Sequence, residues 1–184
     1  AICEGQQYDI DFESSTTVAI SDYLMMIEKK TALLLAYSLR IGAYIAGASE
    51  QEQDALFQYG RHIGIAFQIQ DDVLDVYGDP SNFGKAIGGD ICCNKKTFLL
   101  LTALDIADAE SKASLLQWLI TSNKNAEKIQ AVTALYTQLG VREIGEAVME
   151  DHTAEALAQL ELLPQNDYTN QLRVLAEKLA TRKR

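Results

Sequence analysis

Proline, tryptophan and histidine are scarce in this chain: two prolines, one tryptophan and two histidines among 184 residues. With so few prolines, long helices can run uninterrupted, and no segment shows the sustained alternation of a half-buried strand. Apolar residues recur instead at spacings of three and four, so the fold class read from the sequence is all-α. The three cysteines, Cys3, Cys92 and Cys93, are odd in number and two are adjacent. That argues against a disulfide framework and for a reducing cytoplasm. Neither His62 nor His152 has a cysteine near it in sequence, so zinc is not expected.

Positive charge is scarce too. Sixteen Lys and Arg face 26 Asp and Glu, a net charge of −10 and a pI near 4.6. A nucleic acid needs a basic face to bind, so no such partner is expected. The short tail Arg182, Lys183, Arg184 reads as a solvated terminus. The most apolar window, Thr31 to Ala48, is too short to span a membrane and has Arg40 in its middle. It reads as a core helix buried on most sides. No secretory signal peptide is expected. The opening AICEGQQYD lacks Met and already has helical character, so the chain is expected to be the later part of a longer protein. With 48% hydrophobic residues and a mean hydropathy of −0.06, residues 1–184 suit one globular domain.

The stretch with chemical content runs from Ala66 to Lys96. It opens with Asp71, Asp72 and Asp75 inside an apolar run and closes with Lys85, Lys95 and Lys96 in a Gly-rich connection. Carboxylates suit a hard cation and ammonium groups suit an anion, a pairing fitted to a metal-bridged phosphate ester. At about 100° per residue, setting Asp71 at zero places Gly64 at about 20°, Asp75 at about 40°, Gln68 at about 60° and Asp72 at about 100°. Phe67, Ile69, Val73, Leu74 and Val76 take the remaining arc. A helix apolar around most of its circumference is buried, so its polar stripe is expected to line a cavity. Crowded carboxylates with oxygen-only ligands suit Mg²⁺. The alternative for an acidic trio is a solvated face. A calcium loop fails, because the twelfth position counted from Asp75 is Ala86 rather than Glu.

Along the chain, Ala1 to Asp11 reads as the end of a helix and Ser14 to Thr17 as a linker. Ser21 or Asp22 is a candidate cap for the next helix. Ser49 and Glu52 form a capping box for the helix leading to the aspartates, which Gly78 and Pro80 stop. Asn94 is read as the cap of a helix starting at Lys95, where a bound anion would offset lysines at the unfavourable end of the dipole. Further helices are expected near 97–107, 110–121, 126–139, 141–162 and 168–182, with Trp118, Tyr136 and Met149 serving packing.

Four motifs in order, Gly5-Gln6-x-x-Asp9, Lys30-Thr31, Phe67-Gln68-x-x-Asp71-Asp72-x-x-Asp75 and Gly84-Lys85-x-x-Gly88-x-Asp90 leading to Lys95-Lys96-Thr97, carry a resemblance. The chain resembles the trans-type polyprenyl diphosphate synthases, relatives of farnesyl and geranylgeranyl diphosphate synthase, over essentially its whole length. The resemblance implies an isoprenoid synthase helical bundle around a central cavity, of which this chain would be the C-terminal part. Two aspartate-rich motifs face each other in that fold, and this chain matches the second. The first, with the Arg pair after it and the groups that hold isopentenyl diphosphate, belongs upstream of Gly5.

The resemblance further implies a Mg²⁺-dependent, cytoplasmic, homodimeric prenyltransferase that condenses isopentenyl diphosphate with an allylic diphosphate. Asp71 would ligate Mg²⁺, and Asp72 and Asp75 would ligate it or orient its waters. Lys30, Lys85 and Lys95 would hold the allylic diphosphate, and Thr31 and Gln68 would aim oxygen dipoles at the carbon where positive charge develops. Lys96 is assigned to the surface. Two other readings stay open: a terpene cyclase of the same fold, disfavoured by the intact Asp71, Asp72 and Asp75, and a non-catalytic partner subunit.

Overall fold

The computed structural model describes residues 1–79, 87–121 and 126–181. Among them every regular element is helical: α1 (Ile2–Ser14), α2 (Ile20–Ile27), a π-helical turn (Glu28–Ala32), α3 (Leu33–Ile45), α4 (Glu50–Tyr77), a short α5 (Gly89–Cys92), α6 (Phe98–Ile106), α7 (Ala109–Ile120), α8 (Ala126–Gln138), α9 (Val141–Leu160) and α10 (Asp167–Ala180).

The central element is α4. Its first turn is closed as the sequence predicts: Ser49 Oγ accepts from Glu52 N–H, and the Glu52 carboxylate takes the Ser49 N–H at 2.7 Å. Gly78 ends it in extended conformation. At α2 the cap is Ala19, not Ser21, and Asp22 reaches back to accept the Ala19 N–H at 3.0 Å.

Helix α4 packs most extensively on α9 and on α3. Ala55, Tyr59 and Ile63 of α4 meet Ala156, Leu160 and Ala176 in a lower core. Ile65, Ile69, Val73 and Val76 join Tyr23, Phe98, Leu99, Leu115 and Tyr136 in a larger upper core. The interface with α3 is a seam of small residues. Ala32 and Ala36 are fully buried there. A Cβ placed on Gly64 would lie 2.5 Å from Ala32 Cα, so only glycine permits this approach.

That seam corrects the expectation that Thr31 to Ala48 is buried on most sides. Small residues face α4, whereas Leu34, Tyr37, Ile41, Tyr44 and Ile45 are exposed. Within this chain α3 finds a packing partner on one side.

Between α4 and α9, His62 Nδ1 and His152 Nδ1 are 3.0 Å apart, one ring donating and the other accepting. Burial, their proximity and Arg61 hold the His62 ring below its ordinary pKa, against Glu155 and Glu28. Burial and Arg61 likewise lower His152, against Asp151, Glu155 and Glu28.

Two outcomes follow from this packing. Gly64→Ala should cost about 1–3 kcal/mol in urea unfolding, because the π-helical turn at Ala32 must back away from α4. For the histidines, the unfolded chain protonates first as pH falls below about 6.5, so their contribution is present above that value and lost below it. The stability difference between wild type and His152→Gln, followed by urea titration from about pH 7.5 to about pH 5, should therefore shrink as pH falls.

Candidate active site

The described parts of the four motif segments meet on one wall. Helix α1 reaches it because position 5 is glycine: a Cβ there would lie 2.7 Å from Lys30 Cα and closer still to Lys30 N. The π-helical turn inserts an extra residue into the helix that continues from α2 to α3, turning Lys30 and Thr31 toward α1 and α4. Lys30 Nζ then donates to Asp9 Oδ2 at 2.6 Å. Thr31 Oγ1 donates to Gln68 Oε1 at 3.1 Å.

The aspartates divide their work. Asp71 is only partly buried. Asp72, which the helical arithmetic set at the edge of the polar arc, lies on the buried side at 3% exposure. Its Oδ2 accepts from the Tyr23 hydroxyl at 2.6 Å and from the Phe98 N–H at 3.0 Å. Burial pushes its pKa up to about 7, against the Tyr23 hydrogen bond, Lys95 and the Phe98 N–H. Burial and the Asp72 charge keep the Tyr23 phenol protonated, so it remains a donor. Asp75 is partly buried, and its Oδ2 accepts the Asp90 N–H at 3.0 Å. Burial and the nearby Asp90 carboxylate raise its pKa.

Lys95 completes the wall. Its Nζ lies 3.6 Å from Asp90 Oδ2. Burial pulls its pKa down, but Asp90, Asp72, Asp9 and Asp75 together outweigh burial and raise it, so the ammonium stays charged. Lys96 is partly buried rather than fully at the surface. Lys85, with Gly84, lies outside the described residues, as does the tail from Arg182 to Arg184.

One capping expectation is overturned. The helix after the lysines starts at Phe98, not Lys95, and its cap is Thr97, whose Oγ1 accepts the Leu100 N–H. Lys95 and Lys96 therefore precede the helix. The N-terminal N–H of Phe98 meets the Asp72 carboxylate, the anion the dipole favours. Asn94, expected as the cap, adopts a left-handed conformation (φ 55°) in the preceding turn.

Among the described residues no three His, Cys, Asp or Glu side chains form a metal cage. The donor set still suits Mg²⁺, which keeps several waters and takes one or two carboxylates plus substrate phosphates. Asp71 and Asp75 are the partly exposed candidates.

Sequence reasoning gave no role to Asp9 or Asp90, although both stand in quoted motifs, and had no signal for Tyr23. A phenol that binds a carboxylate 49 positions away leaves no mark in local spacing.

A polyprenyl synthetase family model matches residues 1–137. The chain belongs to the polyprenyl synthetase family. A short chain isoprenyl diphosphate synthase of Methanothermobacter thermautotrophicus is 38% identical over 176 residues, covering 96% of this chain and 54% of that protein. The geranylgeranyl pyrophosphate synthetase structure from Pyrococcus horikoshii superposes with a TM-score of 0.89 at 34% identity, over 98% of this chain and 55% of the other. A geranylgeranyl pyrophosphate synthase from Corynebacterium glutamicum, complexed with isoprenyl diphosphate and magnesium, gives a TM-score of 0.89 at 35% identity, over 98% and 52%. This polyprenyl synthetase chain thus has the all-helical fold of those synthases and spans about half the length of the relatives it matches.

Removing the Tyr23 hydroxyl isolates one of the two bonds on Asp72. Tyr23→Phe should destabilise the protein by about 1–3 kcal/mol in urea unfolding, since a buried carboxylate loses a donor.

Proposed function

We propose that this chain carries the diphosphate-binding and ionising half of a Mg²⁺-dependent prenyltransferase. The reaction joins isopentenyl diphosphate to an allylic diphosphate and yields a short-chain polyprenyl diphosphate. The observation that carries this reading is how the motif segments join in pairs of opposite charge: Lys30 Nζ on Asp9 at 2.6 Å, Lys95 Nζ 3.6 Å from Asp90, and the Asp90 N–H on Asp75 at 3.0 Å. A row of carboxylates with ammonium groups between them suits a ligand that brings both a divalent cation and phosphate oxygens. The relatives named above support the substrate class.

In this reading Asp71 and Asp75 would hold Mg²⁺, and the ion would supply neutralisation of the negative charge on the diphosphate. Asp72 positions rather than ligates, because its Oδ2 is already engaged by Tyr23 and Phe98. Lys30, Lys95 and Lys85 take the remaining phosphate oxygens. Asp9 fixes one hydrogen of the Lys30 ammonium and leaves its other donors for the ligand. Thr31 has committed its proton to Gln68, so its oxygen presents only lone pairs outward. Those lone pairs and the Gln68 carbonyl would stabilise positive charge at the allylic carbon without supplying a proton. As the allylic C–O bond breaks and diphosphate leaves, the isopentenyl double bond would attack the allylic carbon, and the departing diphosphate would take the proton that is lost, which completes the longer chain. A cytoplasmic homodimer belongs to the same reading.

Incubation with Mg²⁺, isopentenyl diphosphate and an allylic diphosphate tests it. Chain elongation supports the reading, a released hydrocarbon identifies a cyclase, and binding without turnover identifies a partner subunit. Asp71→Ala should lower elongation at least about a hundredfold while far-UV circular dichroism stays unchanged. Loss of the helical signal would instead make the acidic row structural.

A further inference from the structure

Lys128 on α8 is 1% exposed. Its Nζ donates to Asn94 Oδ1 at 2.7 Å and to the Thr121 carbonyl at 3.5 Å. Burying an ammonium carries a desolvation cost that a leucine in the same slot would avoid. What lysine adds is a grip on Asn94, whose amide Nδ2 in turn donates to the Leu119 carbonyl at 2.8 Å. Asn94 is thereby held from both ends, its oxygen by α8 and its nitrogen by α7.

Asn94 is also the sole non-glycine residue with positive φ among the described residues. Its left-handed turn sets the direction in which the chain leaves toward Lys95. The next two backbone bonds, Lys95 N–H to the Asp90 carbonyl at 3.0 Å and Thr97 N–H to the Lys95 carbonyl at 2.9 Å, carry that direction forward. Asp90, Asn94, Lys95, Thr97 and Lys128 line one small pocket.

We propose that Lys128 and Asn94 are positioning residues for Lys95: the buried ammonium locks the Asn94 amide, and the locked turn delivers the Lys95 side chain to the diphosphate. This rests on the reading of Lys95 as a diphosphate ligand. Neither residue touches substrate. Lys128 acts from the scaffold helices through a turn that otherwise has a short helix, the partly buried Cys92 and the exposed Cys93 beside it.

The test is a double-mutant cycle read by calorimetric titration of the 184-residue protein with inorganic pyrophosphate in Mg²⁺. Lys95→Ala should weaken binding about tenfold, and Lys128→Met and Asn94→Gly should each do the same. Asn94→Gly keeps the left-handed backbone accessible and removes both side-chain bonds, so it serves if Lys128→Met fails to fold. In the Lys95→Ala background, adding Lys128→Met or Asn94→Gly should cost nothing further, whereas a general structural role gives additive losses. Absence of pyrophosphate binding by wild type, or unchanged binding by Lys95→Ala, sinks the functional reading and this inference with it. Weakened binding by Lys95→Ala, with Lys128→Met and Asn94→Gly at wild-type affinity or additive with Lys95→Ala, overturns this inference alone.

Discussion

One buried oxygen, Asp72 Oδ2, joins three elements. It belongs to α4, takes a hydrogen bond from Tyr23 on α2 and receives the first N–H of α6. A carboxylate 3% exposed is costly unless its lone pairs are used, and these two donors use them. The lysine-bearing connection ends at Phe98, so its anchorage to α4 is set by the same oxygen. The π-helical turn is placed through α2, because α2 runs directly into it.

Around that junction the wall is built from close approaches. Gly5 lets α1 lie against Lys30, Gly64 lets the π-helical turn lie against α4 at Ala32, and Gly60 lets α3 do so at Ala36. Asp9 can then meet Lys30, and Thr31 can meet Gln68. Polar contacts near 3 Å between separate helices require backbones closer than large side chains allow. Gly5 and Gly64 therefore serve geometry. Carboxylates and ammonium groups sit side by side on that wall, Asp9 on Lys30 and Asp90 at 3.6 Å from Lys95.

Much of this was legible beforehand. Ser49 with Glu52, Gly78 and the recurrence of apolar residues at three and four placed the helices to within a few residues. The spacing of Asp71, Asp72 and Asp75 marked α4 as the helix with an acidic cluster in an otherwise apolar run. The motif resemblance pointed to the family before any geometry. Other readings failed for identifiable reasons. Asn94 looked like a cap because caps and left-handed turns favour the same residue type. Thr31 to Ala48 looked buried all round because composition cannot tell small residues facing a partner from large residues facing away.

The sequence alone determined the helices, the Ser49 cap of α4 and the identity of the charged groups, because the helices and that cap follow from contacts three or four residues apart. Tertiary structure alone decided that Asp72 turns inward while Asp71 does not, that Tyr23 and Phe98 supply its donors, and that Lys128 reaches Asn94. Those contacts join residues 26 to 49 positions apart. Their partners are chosen by how helices pack, which no local periodicity records.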